Sequence, residues 1–214
     1  MFHFKKFSID DSKAAMKVGT DAVLLGAWVR CKNETRILDI GTGSGILALM
    51  MAQRNNGIPV DAVEIENNAA DIARQNFRIS PWSEQITIYN KSISEFMSLT
   101  NYSYSLIVCN PPFFSNSLKT PLEARNLARH NDSLPVTELL SISSRLLTEN
   151  GKAAFIIPFD AYDYWHTEAG QHNLLTESVT IVKSSAAHKP HRVLVLFTKQ
   201  KVSEITQSEL ILYS

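Results

Sequence analysis

Hydrophobic and polar positions change their spacing several times along this chain, and each change marks an element. In "RILDIGTGSGILALMMAQRNN", Ile37, Leu38 and Ile40 read as a short buried strand. Three glycines follow, and then Ile46, Leu49, Met50 and Gln53 recur at helical spacing until the stop at Asn55-Asn56-Gly57. "PVDAVEIE" is strand-like, with Val60, Ala62 and Val63 inward, and "NNAADIARQNFRI" is helical, with Ala69, Ile72, Ala73 and Phe77 on one face. "QITIYNKSI" alternates like a strand, and "YSLIVCN" is a continuous apolar strand. "LPVTELLSISSRLLTENG" reads as a helix, with Leu139, Leu140, Leu146 and Leu147 inward and Gly151 as its stop signal. "GKAAFIIP" and "HRVLVLFTK" are two further strands, with "DAYDYWHTEAGQHNLL" the candidate helix between them.

Strands alternating with helices of this length predict a doubly wound, mostly parallel α/β sheet. The shortage of crossover helices before the last strand predicts one antiparallel strand. Residues 1–30 precede the repeating unit and are expected to pack on it as an N-terminal cap segment, with residues 31–214 forming the main domain and the whole a single domain.

Composition changes this picture little. The 214 residues are 44% hydrophobic and 20% charged, which suits one medium domain with a sizeable core. No apolar run is long enough to span a bilayer and no signal-like stretch follows Met1, so a cytoplasmic protein is expected. The two cysteines, Cys31 and Cys109, give no metal spacing and lie in no nucleophile motif, so no metal is expected. The formal net charge of zero argues against a surface coated in basic charge for nucleic acid, yet it permits a local basic patch.

Two stretches carry chemistry. "LDIGTGSG" is a strand, a glycine turn and a helix start, and in an α/β sheet ligands bind beyond the carboxyl ends of the strands. Glu64 ends the next strand, where a carboxylate accepts from ribose hydroxyls. The dinucleotide spacing G-x-G-x-x-G is not met, since Ile46 stands at its last position, and no P-loop lysine is present. Asp39 precedes the loop, and the whole resembles the D-x-G-x-G-x-G motif of class I S-adenosylmethionine-dependent methyltransferases; a nearby carboxylate suits a sulfonium cation. The second stretch is "IVCNPPFFSNS". An exocyclic amine on a ring is a poor nucleophile because its lone pair is delocalised. Two acceptors for its hydrogens, the Asn110 side-chain oxygen and the Pro111 carbonyl, favour a pyramidal nitrogen with its lone pair free. Pro111 and Pro112 fix φ and bring no competing N–H. Phe113 or Phe114 offers a flat wall on which a flipped base stacks. This is catalysis by positioning and electrostatics.

Three clusters are candidates for phosphate contacts: Lys5 and Lys6 near the N-terminus, Arg125, Arg129 and His130 after the Asn-Pro-Pro-Phe stretch, and His188, Lys189, His191 and Arg192 before the last predicted strand. The residues from Ser115 to Leu134 are expected to form a flap.

"NPPF" resembles the [ND]-P-P-[FYW] signature of amino-group methyltransferases. "FKKFSIDDSKAAMKVGTDAVLLGAWV", residues 4 to 29, closely resembles the N-terminal signature of the tRNA1(Val) adenine-37 N6-methyltransferases, and "SPWSEQI" and "HKPHRVLVLFTK" extend the likeness over essentially the whole chain. The resemblance implies a Rossmann-like class I methyltransferase fold with a seven-stranded sheet and an antiparallel last strand. It implies methyl transfer from S-adenosylmethionine to N6 of adenosine 37 in the anticodon loop of a valine tRNA. By position, Asp39, Gly41, Gly43, Gly45 and Glu64 hold the cofactor, and Asn110, Pro111, Pro112 and Phe113 the target adenine, with Asn110 also beside the cofactor. Ser92 stands where such enzymes usually place an Asp against the cofactor's adenine amine, and Ile93 packs on that ring. Lys17, Thr20 and Asp21 are placed near the cofactor mouth. A monomer is expected. Guanine N2 methylation of rRNA, glutamine N5 methylation of a protein, and a non-catalytic RNA-binding protein on this scaffold are the alternatives.

Overall fold

The strand β3, Ile37–Ile40, forms because its three apolar side chains each find an apolar layer: alternate residues point to opposite sides of a sheet that is covered on both. Ile37 enters one core with Leu106, Val108, Ala154 and Ile156, whereas Leu38 and Ile40 enter the other with Ile107, Phe155 and Ile157. A computed structural model describes residues 1–12, 17–31, 34–55, 57–112 and 134–213. Phe113, Phe114, Arg125, Arg129, His130 and nearly all of the expected flap lie outside the described residues.

The chain continues through α2 (Ile46–Arg54), β4 (Val60–Glu64), α3 (Asn67–Arg78), β5 (Ile86–Asn90), α4 (Ile93–Leu99), β6 (Tyr104–Cys109) and α5 (Val136–Leu146). After these come β7 (Leu147–Pro158), α6 (Tyr162–Gln171), β8 (Leu175–Lys183), β9 (Arg192–Thr198) and β10 (Thr206–Ile211). Ahead of β3 stand a two-stranded hairpin, β1 (Phe2–His3) with β2 (Ser8–Ile9), and the helix α1 (Thr20–Trp28). The large sheet has eight strands in the order β10-β8-β9-β7-β6-β3-β4-β5. All neighbours are parallel except β9, which runs against both β7 and β8.

The strands β3 to β9 make the seven expected, with β9 the antiparallel one. The periodicity missed β8, and β10 is an eighth strand added to the edge, parallel to β8. Both are patterned weakly: β8 is only partly buried, and β10 is exposed along nearly all its length. Gly151 is a clear correction. It does not stop a helix; α5 ends at Leu146 and Gly151 lies inside β7. A Cβ there would meet the backbone oxygen of Tyr104 at 2.8 Å, so the glycine permits the close passage of β7 past β6, where the register shifts.

The face of α2 also differs from its apparent period. Leu47, Ala48 and Met51 are buried with Ile46 and Leu49, while Met50 and Gln53 are only half-buried. The sheet lies on one side of α2 and α1 on the other, so nearly the whole circumference is apolar. The N-terminal residues are continuous with this layer. Phe7, Ile9, Leu25 and Val29 are all buried in the same core.

Candidate active site

The carboxyl ends of β3, β4 and β6 open into one cavity of about 760 Å³, a size that takes a nucleoside-sized ligand. Its walls are the glycine turn from Gly41 to Ser44, the residues after β4 from Glu64 to Glu66, the start of α4, and Asn110 to Pro112 beyond β6. Lys17 to Gly19 close one side, and Leu134, Pro135, Glu138 and Leu139 another.

The turn is built by local chemistry. Gly41 and Gly43 take positive φ values of 68° and 57°, and a Cβ on either would meet nothing within 4 Å, so both present bare backbone to open space. Gly45 does something else. At φ 91° it caps the start of α2, and a Cβ there would collide with the ring of Phe77 on α3. It lies behind the wall rather than in it. Asp39 is likewise behind the wall and fully buried. Its Oδ2 accepts from Thr42 Oγ1 at 2.5 Å and from Ala48 N at 3.0 Å, which ties the strand to the turn and to the helix. Its Oδ1 has no partner among the described residues. Burial pushes this carboxyl up to about 7, helped by the charge of Glu64 and opposed by the two hydrogen bonds.

Glu64 is in the wall. Its Oε2 accepts from Gly43 N and its Oε1 from Glu66 N, both at 2.9 Å, so the carboxylate is oriented while keeping lone pairs for a ligand's hydroxyls. Asn110 is in the wall as well, and its Oδ1 is buried with no hydrogen-bond partner among the described residues. A buried bare acceptor costs free energy unless a donor arrives. Ile93 is buried and Ile65 is 57% exposed, and both face the cavity. Ser92 is in the wall too, but as the N-cap of α4, sharing reciprocal hydrogen bonds with Glu95.

Other candidates are spread more widely. Lys17 borders the cavity, with Nζ donating to Asp11 O at 2.6 Å and Ser12 O at 2.9 Å. Thr20 and Asp21 begin α1 outside the lining, and Asp21 Oδ2 accepts from Arg192 Nε at 2.9 Å. Arg192 is thus a strut between β9 and α1. Lys5 and Lys6 are exposed on the turn between β1 and β2, and Lys189 is exposed before β9. Lys5, Lys6, Lys189 and Arg192 all lie outside the cavity wall.

Sequence reasoning missed Asn76. This buried amide on α3 accepts from Asp10 N at 2.9 Å and donates to Asp10 O at 3.2 Å and Ser44 O at 2.9 Å. It knots the N-terminal segment to the glycine turn; a lone polar residue on the apolar face of α3 was the available signal. Glu138 and Lys91, both in the wall, were also missed, because nothing in their own neighbourhoods distinguishes them from solvated helix and turn residues. Among the described residues no cluster of His, Cys, Asp or Glu is arranged to hold a metal ion, and no helix is long and apolar enough to cross a membrane.

Comparison with known proteins agrees with this geometry. Residues 12–159 match the family described as Methyltransferase small domain. A protein of Christiangramia forsetii named tRNA1(Val) (adenine(37)-N6)-methyltransferase is 44% identical over 214 residues, covering 99% of this chain and 89% of its own. One of the same name from Flavobacterium psychrophilum is 43% identical, covering 94% of this chain and 86% of its own. Among solved structures, a predicted O-methyltransferase of Agrobacterium tumefaciens superposes with a TM-score of 0.70 at 18% identity over 89% of this chain and 86% of its own, a likeness of fold alone. With the glycine turn, the acidic strand end and the Asn-Pro-Pro wall meeting in one cavity, and with relatives this similar along nearly its full length, the chain belongs to the tRNA1(Val) (adenine(37)-N6)-methyltransferase family of class I methyltransferases.

Proposed function

We propose that this enzyme transfers a methyl group from S-adenosylmethionine to N6 of adenosine 37 in the anticodon loop of tRNA1(Val). The carrying observation is the Asn110 side-chain oxygen, buried, without a hydrogen-bond partner among the described residues and set in the wall where β6 ends. The printed names of relatives at 43% and 44% identity support the choice of tRNA and base.

The residues present fit the cofactor. Open backbone at Gly41 and Gly43, an oriented carboxylate at Glu64 and apolar surfaces at Ile65 and Ile93 together suit an adenosine moiety. When bound, S-adenosylmethionine supplies an electrophilic methyl group on a sulfonium. Glu64 would accept from the ribose hydroxyls. Asn110 Oδ1 and the Pro111 carbonyl would accept the hydrogens of the target amine, which frees its lone pair and orients it. The prolines hold those acceptors rigidly, and no strong base is required, since the methylated amine is acidic and loses its proton late. Phe113 and Phe114 are proposed as the stacking wall for the flipped base, and Arg125 and Arg129 as phosphate contacts with Lys5, Lys6 and Lys189. Arg192 is a weaker candidate, because Asp21 already engages it. Residues 1–30 are proposed as a cap integral to a single domain, and the monomer as the active unit, in the cytoplasm.

The test is transfer from labelled S-adenosylmethionine to total tRNA lacking N6-methyladenosine, followed by nucleoside analysis, with Asn110→Ala beside wild type. N6-methyladenosine from wild type and a loss of about a hundredfold or more in the variant are expected. Label on protein, or on guanine, would overturn the assignment.

A further inference from the structure

The carboxylates of the cavity wall are not equivalent. Each oxygen of Glu64 already accepts a backbone N–H, and the Glu66 side chain is spent capping α3, accepting from Asn68 N at 3.1 Å and Ala69 N at 2.6 Å. Glu138, in the first turn of α5, is different. Its Oε1 accepts from Ser94 Oγ at 2.6 Å, which joins α5 to α4 across the wall. Its Oε2 takes no hydrogen bond among the described residues, and the residue is exposed and lines the cavity. A carboxylate has about four lone-pair sites, so most of the accepting capacity of Glu138 is unused, while Ser94 holds its direction.

Ser92 is the competing acceptor, and it is already committed. Its Oγ accepts from Glu95 N at 3.2 Å and donates to Glu95 Oε2 at 2.8 Å, while Ser92 N donates to the same carboxylate oxygen at 3.0 Å. Turning this hydroxyl towards a ligand would break a reciprocal helix cap. Ile65 and Ile93 meanwhile offer the same cavity two apolar surfaces for a flat ring. A purine lying there brings an exocyclic amine, two N–H donors with no acceptor of their own, into a partly desolvated cleft where unmet donors are costly.

We propose that Glu138, steadied by Ser94, is the residue that selects the cofactor's purine by accepting from its exocyclic amine, and that Ser92 serves the helix cap instead. This rests on the reading of the cavity as the S-adenosylmethionine site. Selection follows from the carboxylate's accept-only chemistry: an exocyclic amine gives the second oxygen of Glu138 a donor, whereas a purine carrying hydrogen there gives it none.

The experiment is calorimetric titration of the full chain with S-adenosylhomocysteine and with its analogue carrying hydrogen in place of the exocyclic amine. Wild type is expected to prefer the amine-bearing ligand by about tenfold or more. Glu138→Leu is expected to bring that ratio close to one, mainly by weakening S-adenosylhomocysteine. Ser92→Ala is expected to weaken both ligands alike and keep the ratio. If Glu138→Leu keeps the wild-type preference, or Ser92→Ala abolishes it, the assignment of Glu138 falls while the cofactor reading stands. If wild type binds neither ligand, the cofactor reading fails and takes this inference with it.

Discussion

Asp39 shows what a single buried acid does in this fold. It sits at full burial with one oxygen bonded to Thr42 and Ala48 and the other without a partner among the described residues. Burial raises its carboxyl to about 7, and the nearby Glu64 adds to the rise. In the unfolded chain an ordinary Asp titrates near 4. Between those values the folded protein keeps a proton that the unfolded chain has released. The stability tied to this proton is therefore complete below about pH 4 and lost as pH rises through about 7. Urea midpoints of wild type are expected to fall across that window relative to Asp39→Asn, which cannot titrate. Parallel pH profiles for the two proteins would show that Asp39 is not perturbed by the fold. The residue was legible in the sequence as part of the glycine-loop pattern, but its place was not: spacing puts it beside the loop, and only the packed structure shows it turned inward to hold the loop.

At the scale of elements, the junction of α2, α3 and the glycine turn governs the site. Gly45 admits the ring of Phe77, and Asn76 one residue earlier binds Ser44 and Asp10. Gly45→Ala adds a clashing methyl at positive φ and is expected to cost about 2–4 kcal/mol, read from chemical denaturation. Asn76→Ala removes a buried amide with three hydrogen bonds and is expected to cost about 2–3 kcal/mol. It should raise the KM for S-adenosylmethionine more than it lowers kcat, because the turn it braces binds ligand while Asn110 is untouched. A fall in kcat at unchanged KM would contradict that division. Alternation of strands and helices made this junction's elements readable, since each buries a long apolar face. The parts that escaped are those whose pattern is set by neighbours: the wide buried face of α2 between the sheet and α1, the exposed edge strand β10, and Gly151, whose need for space comes from Tyr104 on another strand.

For the whole molecule the question is how a chain of zero net charge holds a polyanion. The hairpin of β1 and β2 gives one answer. Phe4 stacks on Phe7 with centroids 4.5 Å apart, and Phe7 meets Trp82 edge-on at 5.7 Å, so the turn carrying exposed Lys5 and Lys6 is anchored to the core rather than free. Fixed cations lose little entropy on meeting phosphate, and each contact releases counterions. A neutral body with a local patch should then bind tRNA with a salt dependence set by the few phosphates it meets, about −0.7 to −0.9 in log–log slope per phosphate. Replacing Lys5 and Lys6 by Ala is expected to weaken tRNA binding and to flatten that slope by about 1 to 2, with S-adenosylhomocysteine binding unchanged. Anisotropy titrations of labelled tRNA at several salt concentrations measure both quantities. An unchanged slope would remove the hairpin from the RNA-facing surface and leave the cations that follow the Asn-Pro-Pro stretch, with Lys189, to carry the electrostatic work.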